Sequence, residues 1–178
     1  HLACANDPTH PMNIEQRDQF KKIIVQLPSA PASLSASSGI FLGCDWHFDM
    51  VRPGASLYGV APESGAPNPM CQVVKLQGKI LQIRSVDTPQ TVGYGATHQF
   101  SATTRIATIA AGYADGYMRS LSNRGTVYIG ETRVPVVGRV SMDLITLDIT
   151  DAMEAQPGDL VDLIGPQNDV DSLAAEAG

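Results

Sequence analysis

A proline-rich break at Ala61-Pro62-Glu63-Ser64-Gly65-Ala66-Pro67-Asn68-Pro69 separates two unlike stretches of this sequence. Proline fixes φ and removes a backbone donor, so three prolines in nine residues end whatever regular element precedes them. The organisation this implies is one domain portion at 1–62, a linker at 63–69 and a second domain at 70–178.

Before the break, helix-like and strand-like pieces alternate. Asn13 and Gln16 offer a capping box, and Phe20, Ile23, Ile24 and Leu27 recur at i, i+3, i+4 and i+7, so an amphipathic helix is expected over 14–27. A short strand is expected at 33–36, a helical turn from Ser38-Gly39 towards Phe48, and another strand at 49–52. That βαβ rhythm belongs to a parallel sheet or an α/β barrel.

After the break the pattern is mostly strand: 75–84, 104–111, 126–129, 134–140, 144–149 and 160–164, with Gly130-Glu131 as a hairpin turn. Such spacing suggests a Greek-key or barrel-like β domain. A last helix starts at Asp171-Ser172 and stops at Gly178 after about two turns, which reads as a truncated domain end.

Composition excludes several functions. With 43% hydrophobic and 17% charged residues the chain can bury a core. A formal charge of −6 leaves no basic stripe for a phosphate backbone, so no nucleic-acid partner is expected. Apolar runs such as 106–112 fall far short of the ~20 residues that cross a bilayer, so no membrane span is expected. Cys4, Cys44 and Cys71 are odd in number and lack CxxC spacing, which indicates neither a disulfide framework nor a metal site and favours a reducing cytoplasm. The first seven residues lack the basic and apolar regions of a signal peptide.

Four segments carry chemistry. In Val51-Arg52-Pro53-Gly54-Ala55 a glycine follows a strand end, where backbone N–H groups approach anions; a plain structural turn is the competing reading. Tyr94 stands between Gly93 and Gly95, free to project its hydroxyl. The third segment is Ala111-Gly112-Tyr113-Ala114-Asp115-Gly116-Tyr117 with Arg119, and the fourth is Gly138-Arg139-Val140-Ser141-Met142-Asp143. Taken singly, each is a weak signal, Met142 reading as core filler and Arg139 as a surface charge.

Together they are specific. HLACA, SASSGI, VRPGASLYG, GYGAT, AAGYADGY and VVGRVSMD stand in one order from end to end of the chain, and with them the sequence resembles the C-terminal half of the alanine racemase family. The fold this implies is α/β plus all-β: the C-terminal portion of an α/β (TIM-like) barrel followed by a mostly β-strand domain.

The resemblance implies pyridoxal 5'-phosphate as cofactor, held by a Schiff-base lysine near the family's N-terminus. Only Lys21, Lys22, Lys75 and Lys79 occur here and none stands in a matching motif, so the chain is expected to be a fragment, inactive alone. Ser38 and the backbone of Gly54 and Ala55 would bind the cofactor phosphate; because the family has Asn-Ser where this chain has Ser37-Ser38, either serine could be in register. Arg52 would face the pyridine nitrogen, and an arginine, which keeps its own proton, would leave that nitrogen unprotonated and the electron sink weak. His1 would stand beside Arg52 and link it to the catalytic tyrosine.

That tyrosine is matched by Tyr94, contributed by the second subunit of a homodimer and acting on the face opposite the lysine. A phenol serves as base near neutral pH only with positive charge beside it, a part that falls to His1 and Arg52. Tyr113 and the Met142 amide would contact substrate, and Arg119, Arg139 and Asp143 would line the entrance. The implied activity is interconversion of L- and D-alanine for bacterial peptidoglycan, on a small-molecule amino-acid substrate. The alternatives are a racemase for another amino acid such as serine, and a non-catalytic dimerisation or ligand-binding module; retention of Tyr94, Tyr113 and Met142 together weighs against the module.

Overall fold

The chain parts between Val73 and Val74 into two units, His1–Val73 and Val74–Gly178, in a computed structural model that describes residues 1–87 and 90–178.

In the first unit helix α1 spans Pro11–Ile24, earlier than the capping box implies. Pro11 starts it because a fixed φ and a missing N–H suit the first helical turn. His10 is the N-cap, its Nδ1 accepting from the Met12 amide at 3.2 Å. Asn13 and Gln16 therefore do not form a capping box. Both reach back to the preceding segment: Asn13 Nδ2 donates to the carbonyls of Cys4 and Asp7 at 3.3 and 2.9 Å, and Gln16 Oε1 accepts from the Ala3 amide at 2.9 Å. The expected apolar face is only partly buried. Phe20 packs edge-on against Phe48, whereas Ile23 and Leu27 are 45% and 60% exposed.

The stretches 33–36 and 49–52 run side by side without becoming strands, because their pairing is a single parallel bridge, Ala36 to Arg52. The Arg52 amide donates to the Ser35 carbonyl at 2.9 Å, and the Asp49 and Met50 amides share the Ala32 carbonyl. Instead of one helical stretch to Phe48 there is a four-residue helix α2, Ser37–Ile40, then a tight turn at Cys44–Trp46. Leu2, Ala5, Leu34 and Trp46 form a small core.

The second unit is a six-stranded antiparallel sheet of order β6-β5-β8-β1-β4-β7, with a separate hairpin of β2 and β3. The ranges are β1 Leu76–Val86, β2 Thr91–Val92, β3 His98–Gln99, β4 Thr104–Ala110, β5 Thr126–Ile129, β6 Thr132–Pro135, β7 Leu144–Asp148 and β8 Leu160–Ile164. A register shift between Ile80 and Gln82 bends the long β1. Gly130, at φ 58°, supplies the positive φ that the two-residue turn between β5 and β6 requires. The expected strand over 134–140 ends instead at Pro135, whose nitrogen cannot donate. The chain then crosses to the opposite edge, where Val136 bridges Leu147 and the Val137 amide donates to the Thr146 carbonyl. The sheet thus curls until its edge strands meet.

Alternate residues of these strands, among them Ile80, Ala107, Ile109, Val127, Val134, Ile145, Leu147, Val161 and Leu163, fill one apolar core. Helix α3, Val170–Ala177, adds Leu173 and Ala177 to it, and its N-cap Asp169 accepts from the Ser172 amide at 2.7 Å. Among the described residues no helix is long and apolar enough to cross a membrane, and no group of three or more His, Cys, Asp or Glu side chains is placed to hold a metal.

Candidate active site

The sequence-derived site residues fall into two clusters, one in each unit. The first borders a cavity of about 350 Å³ lined by His1, Ser37, Ser38, Arg52, Gly54 and Ala55, among others. The two serines have different tasks. Ser37 is buried, and its Oγ accepts from the amides of Gly54 and Ser56 at 2.9 and 3.2 Å, which ties the Arg52–Ala55 turn to the start of α2. Ser38 lines the cavity. The Gly54 amide is thereby engaged, and the next amide, that of Ala55, begins the helical turn Ala55–Tyr58. A Cβ on Gly54 would meet only Ser37 Oγ at 4.0 Å, so the approach to this turn is open.

Arg52 is oriented from three sides. Its guanidinium donates to Ser33 Oγ and to the Leu34 carbonyl at 3.2 Å, and it meets His1 Nδ1 at 3.3 Å. Among the described residues no carboxylate lines this cavity. The donor set is hydroxyls, amides and a guanidinium, which suits an anion.

The second cluster surrounds a pocket of about 410 Å³ lined by Tyr94, Tyr113, Arg119, Arg139, Met142 and Asp143, together with Val140 and Ser141. Tyr94 stands at the tip of the β2–β3 hairpin and is 73% exposed. Gly93 and Gly95 supply the positive φ values, 79° and 74°, that turn the chain there. A Cβ on Gly93 would lie 2.8 Å from the Arg139 amide, so absence of a side chain lets the two turns touch.

Tyr113 and Met142 are fixed to each other through the backbone. The Tyr113 amide donates to the Ser141 carbonyl and the Ala114 amide to the Met142 carbonyl, each at 3.0 Å. Gly112 makes this possible, since a Cβ there would fall 2.1 Å from the Met142 carbonyl oxygen. Arg119 lies over the Tyr113 ring, its guanidinium carbon 5.6 Å from the centroid, within cation–π range. Two arginines against one aspartate leave the pocket with a cationic surplus, which favours a carboxylate-bearing ligand. A second cleft of about 450 Å³ uses Tyr94 and Arg139 with Thr108, Leu144 and Thr146.

The two tyrosines around Asp115-Gly116 separate clearly. Tyr117 is buried with its hydroxyl unpartnered, and burial, reinforced by Glu176, pushes its ionisation far above the usual phenol range. Tyr113 alone of the pair faces the pocket. Sequence reasoning overlooks Asn123, whose side chain binds both the Gly138 turn and Thr97; in Ser122-Asn123-Arg124-Gly125 it reads as an ordinary turn residue.

Residues 1–62 match the model of the alanine racemase N-terminal domain, and residues 73–178 match that of the alanine racemase C-terminal domain. An alanine racemase of Rhodospirillum rubrum is 56% identical over 179 residues, which cover 99% of this chain and 48% of that protein. A catabolic alanine racemase of Mesorhizobium japonicum is 47% identical, with 100% of this chain and 47% of the relative covered. Among solved structures, the alanine racemase from Bartonella henselae with covalently bound pyridoxal phosphate superposes with a TM-score of 0.89 at 44% identity, over 99% of this chain and 49% of that one. The biosynthetic alanine racemase from Pseudomonas aeruginosa gives a TM-score of 0.88 at 34% identity, over 100% of this chain and 50% of that one. The chain spans about half the length of the curated relatives it matches. Its fold is that of the alanine racemases, and with both units matched the chain belongs to the alanine racemase family.

Proposed function

We propose that this chain forms the substrate-facing half of a pyridoxal 5'-phosphate-dependent alanine racemase, which interconverts L- and D-alanine, and that residues 1–62 are the last part of its α/β (TIM-like) barrel. The observation that carries the reading is the convergence of Tyr94, Tyr113, Arg119, Arg139, Met142 and Asp143, from three separate loops, on one pocket. The lysine that holds the cofactor lies outside these residues, a reading supported by the twofold length of the relatives.

The first-unit cavity fits the cofactor by its donor set. Ser38 and the Ala55 amide would donate to the phosphate, and the turn they belong to is kept in shape by Ser37. Arg52 would donate to the pyridine nitrogen and, keeping its own proton, leave that nitrogen unprotonated; His1 holds its guanidinium in place. When bound, pyridoxal phosphate supplies the electron sink that acidifies the α-hydrogen of an amino acid. Tyr94 would remove that hydrogen from L-alanine, and return it in the reverse direction, on the face away from the lysine. The Met142 amide and the Tyr113 hydroxyl would hold the substrate carboxylate, and Arg119, Arg139 and Asp143 would guide it in. Two copies would share each site, Tyr94 coming from the subunit opposite His1 and Arg52. A reducing cytoplasm agrees with the three free thiols, Cys4, Cys44 and Cys71.

The test is chiral analysis of L-alanine incubated with the whole cofactor-loaded protein, these residues joined to the half that carries the lysine, with L-serine as a parallel substrate. D-alanine should accumulate towards an equal mixture. No D-alanine above the cofactor-only control overturns the reading, and faster racemisation of serine reassigns the substrate.

A further inference from the structure

We infer that Asn123 is a positioning residue for Tyr94, an inference that rests on the racemase reading of the pocket. Asn123 follows the turn Arg119–Leu121 with φ 56°, a left-handed conformation that asparagine tolerates better than most residues. From that position it makes three hydrogen bonds. Its amide donates to the Gly138 carbonyl at 3.1 Å, its Oδ1 accepts from the Gly138 amide at 2.6 Å, and its Nδ2 donates to Thr97 Oγ1 at 3.2 Å.

These bonds hold the Tyr94 turn at both ends. Thr97 is the C-cap of Tyr94–Ala96, so the Nδ2 bond fixes the turn's exit directly. The entrance is fixed through Gly138. A Cβ on Gly138 would lie 3.0 Å from the Val92 carbonyl oxygen and 3.3 Å from Gly93 Cα, so the backbones at 138 and 92–93 are in contact. Because Asn123 pairs with both the amide and the carbonyl of Gly138, the platform under Gly93 cannot shift without breaking those bonds. Ser122 adds to the same node: its Oγ accepts from the Val140 amide at 3.0 Å and donates to the Arg119 carbonyl. Tyr94 is 73% exposed, so within this chain its aim is set by the turn and not by packing of the ring. A proton-transfer group displaced by about 1 Å loses rate steeply, and here that displacement is governed by a residue that touches no substrate.

A plain structural role for Asn123 would alter stability and both directions of turnover alike, so the test must report on one face of the α-carbon. Rates alone cannot do this, since kcat/KM for mirror-image substrates must keep the ratio set by their equilibrium. Isotope effects can. In the whole cofactor-loaded protein, with the lysine-bearing half included, N123G keeps the left-handed backbone without strain while deleting Oδ1 and Nδ2. T97V removes only the Thr97 hydroxyl. N123D retains an acceptor for the Gly138 amide and offers Thr97 an acceptor in place of a donor.

The expected result for N123G is a kcat about tenfold lower with KM within about twofold. The isotope effect should rise with α-deuterated L-alanine and fall with α-deuterated D-alanine, because the Tyr94 step then limits both directions. T97V should show the same asymmetry at about threefold, and N123D should recover most of the loss. Amide hydrogen exchange over 93–97 should quicken in N123G while β4 stays protected. Equal isotope effects from both enantiomers, or wild-type exchange over 93–97, overturn the inference. If N123G does not fold, T97V decides by the same two readouts. Should the wild-type protein racemise no alanine, it is the racemase reading that fails, and the exchange measurement still decides whether Asn123 holds the Tyr94 turn.

Discussion

The two units are held together by different means. In the second, strands of alternating burial stack their apolar residues in a shared core, with Ala107, Ile109, Val127, Val134, Leu147, Val161 and Leu163 each fully buried. In the first, the buried apolar core is Leu2, Ala5, Leu34 and Trp46, and shape comes largely from polar side chains on backbone groups. Asn13 and Gln16 hold segment 3–7, Ser35 donates to the Trp46 carbonyl, Asp49 accepts from the Ala32 amide, and Ser37 gathers the amides of Gly54 and Ser56. A non-directional core tolerates changes of detail, whereas each polar contact is specific to one atom pair. The region that would bind a phosphate is built by the second method, whereas the apolar sheet is built by the first and carries Tyr94 and Tyr113 on turns that hydrogen bonds hold in place.

The largest expected effect tests this division of labour in catalysis. Tyr94→Phe keeps the ring and deletes the hydroxyl, so turnover of L-alanine should fall by ~10²–10⁴ while cofactor absorbance is retained. Ser38→Ala should do the reverse, with the cofactor lost on dialysis and little change in rate at saturating cofactor. Both variants failing in the same way would break the assignment of proton transfer to one unit and anchoring to the other. Next in size is packing. Leu147→Ala should cost about 2–5 kcal/mol in urea unfolding, as for other fully buried leucines. Ile23→Ala on α1, 45% exposed, should stay within about 0.5 kcal/mol. A cost for Ile23 as large as that for Leu147 would mean that another surface covers this helix face in solution.

The same contrast governs how much could be read in advance. Strands at 126–129 and 160–164 appear in the structure with those limits, and the Gly130-Glu131 turn joins β5 to β6, because a two-residue periodicity bounded by glycine is a local signal. The strand over 134–140 was legible only to Pro135, since what lies beyond depends on β7, a partner distant along the chain. In the first unit the Asn13–Gln16 pattern misleads because it fits a cap locally, while both side chains are committed to segment 3–7. Glycine-flanked Tyr94 and the Tyr113 loop stand out as motifs. Asn123 does not, because its partners Thr97 and Gly138 come together only when the chain has folded.

A smaller effect sharpens the account of the first unit. Ser37→Ala leaves the Gly54 and Ser56 amides without their acceptor, at about 1–3 kcal/mol in local stability, because a partly buried donor loses its hydrogen bond. The measurable consequence is weaker cofactor retention than in a Ser37→Thr protein, which keeps the hydroxyl. Equal retention in the two would mean that the turn is held by the remaining backbone bonds.

The smallest effect concerns a polar contact in the second unit, the one with the larger apolar core. Asp169 caps α3, and the Ser172 backbone amide, then its hydroxyl, holds the carboxyl below its ordinary value of 3.8. A folded-state pKa below the unfolded one means that the contribution is fully present above the unfolded value and is lost as pH falls through the folded one. The group is only partly buried, so solvent screening keeps its worth under about 1 kcal/mol. Asp169→Asn retains an oxygen acceptor for the Ser172 amide but cannot titrate. The wild-type protein should therefore be the more stable of the two at pH 7, by less than about 1 kcal/mol, and the gap should close below pH 4 as Asp169 takes up its proton. A gap that holds constant down to pH 2 would assign the difference to the amide's own packing. A gap several times larger would show that α3, and with it Leu173 and Ala177, depends on this one cap more than an apolar core should allow.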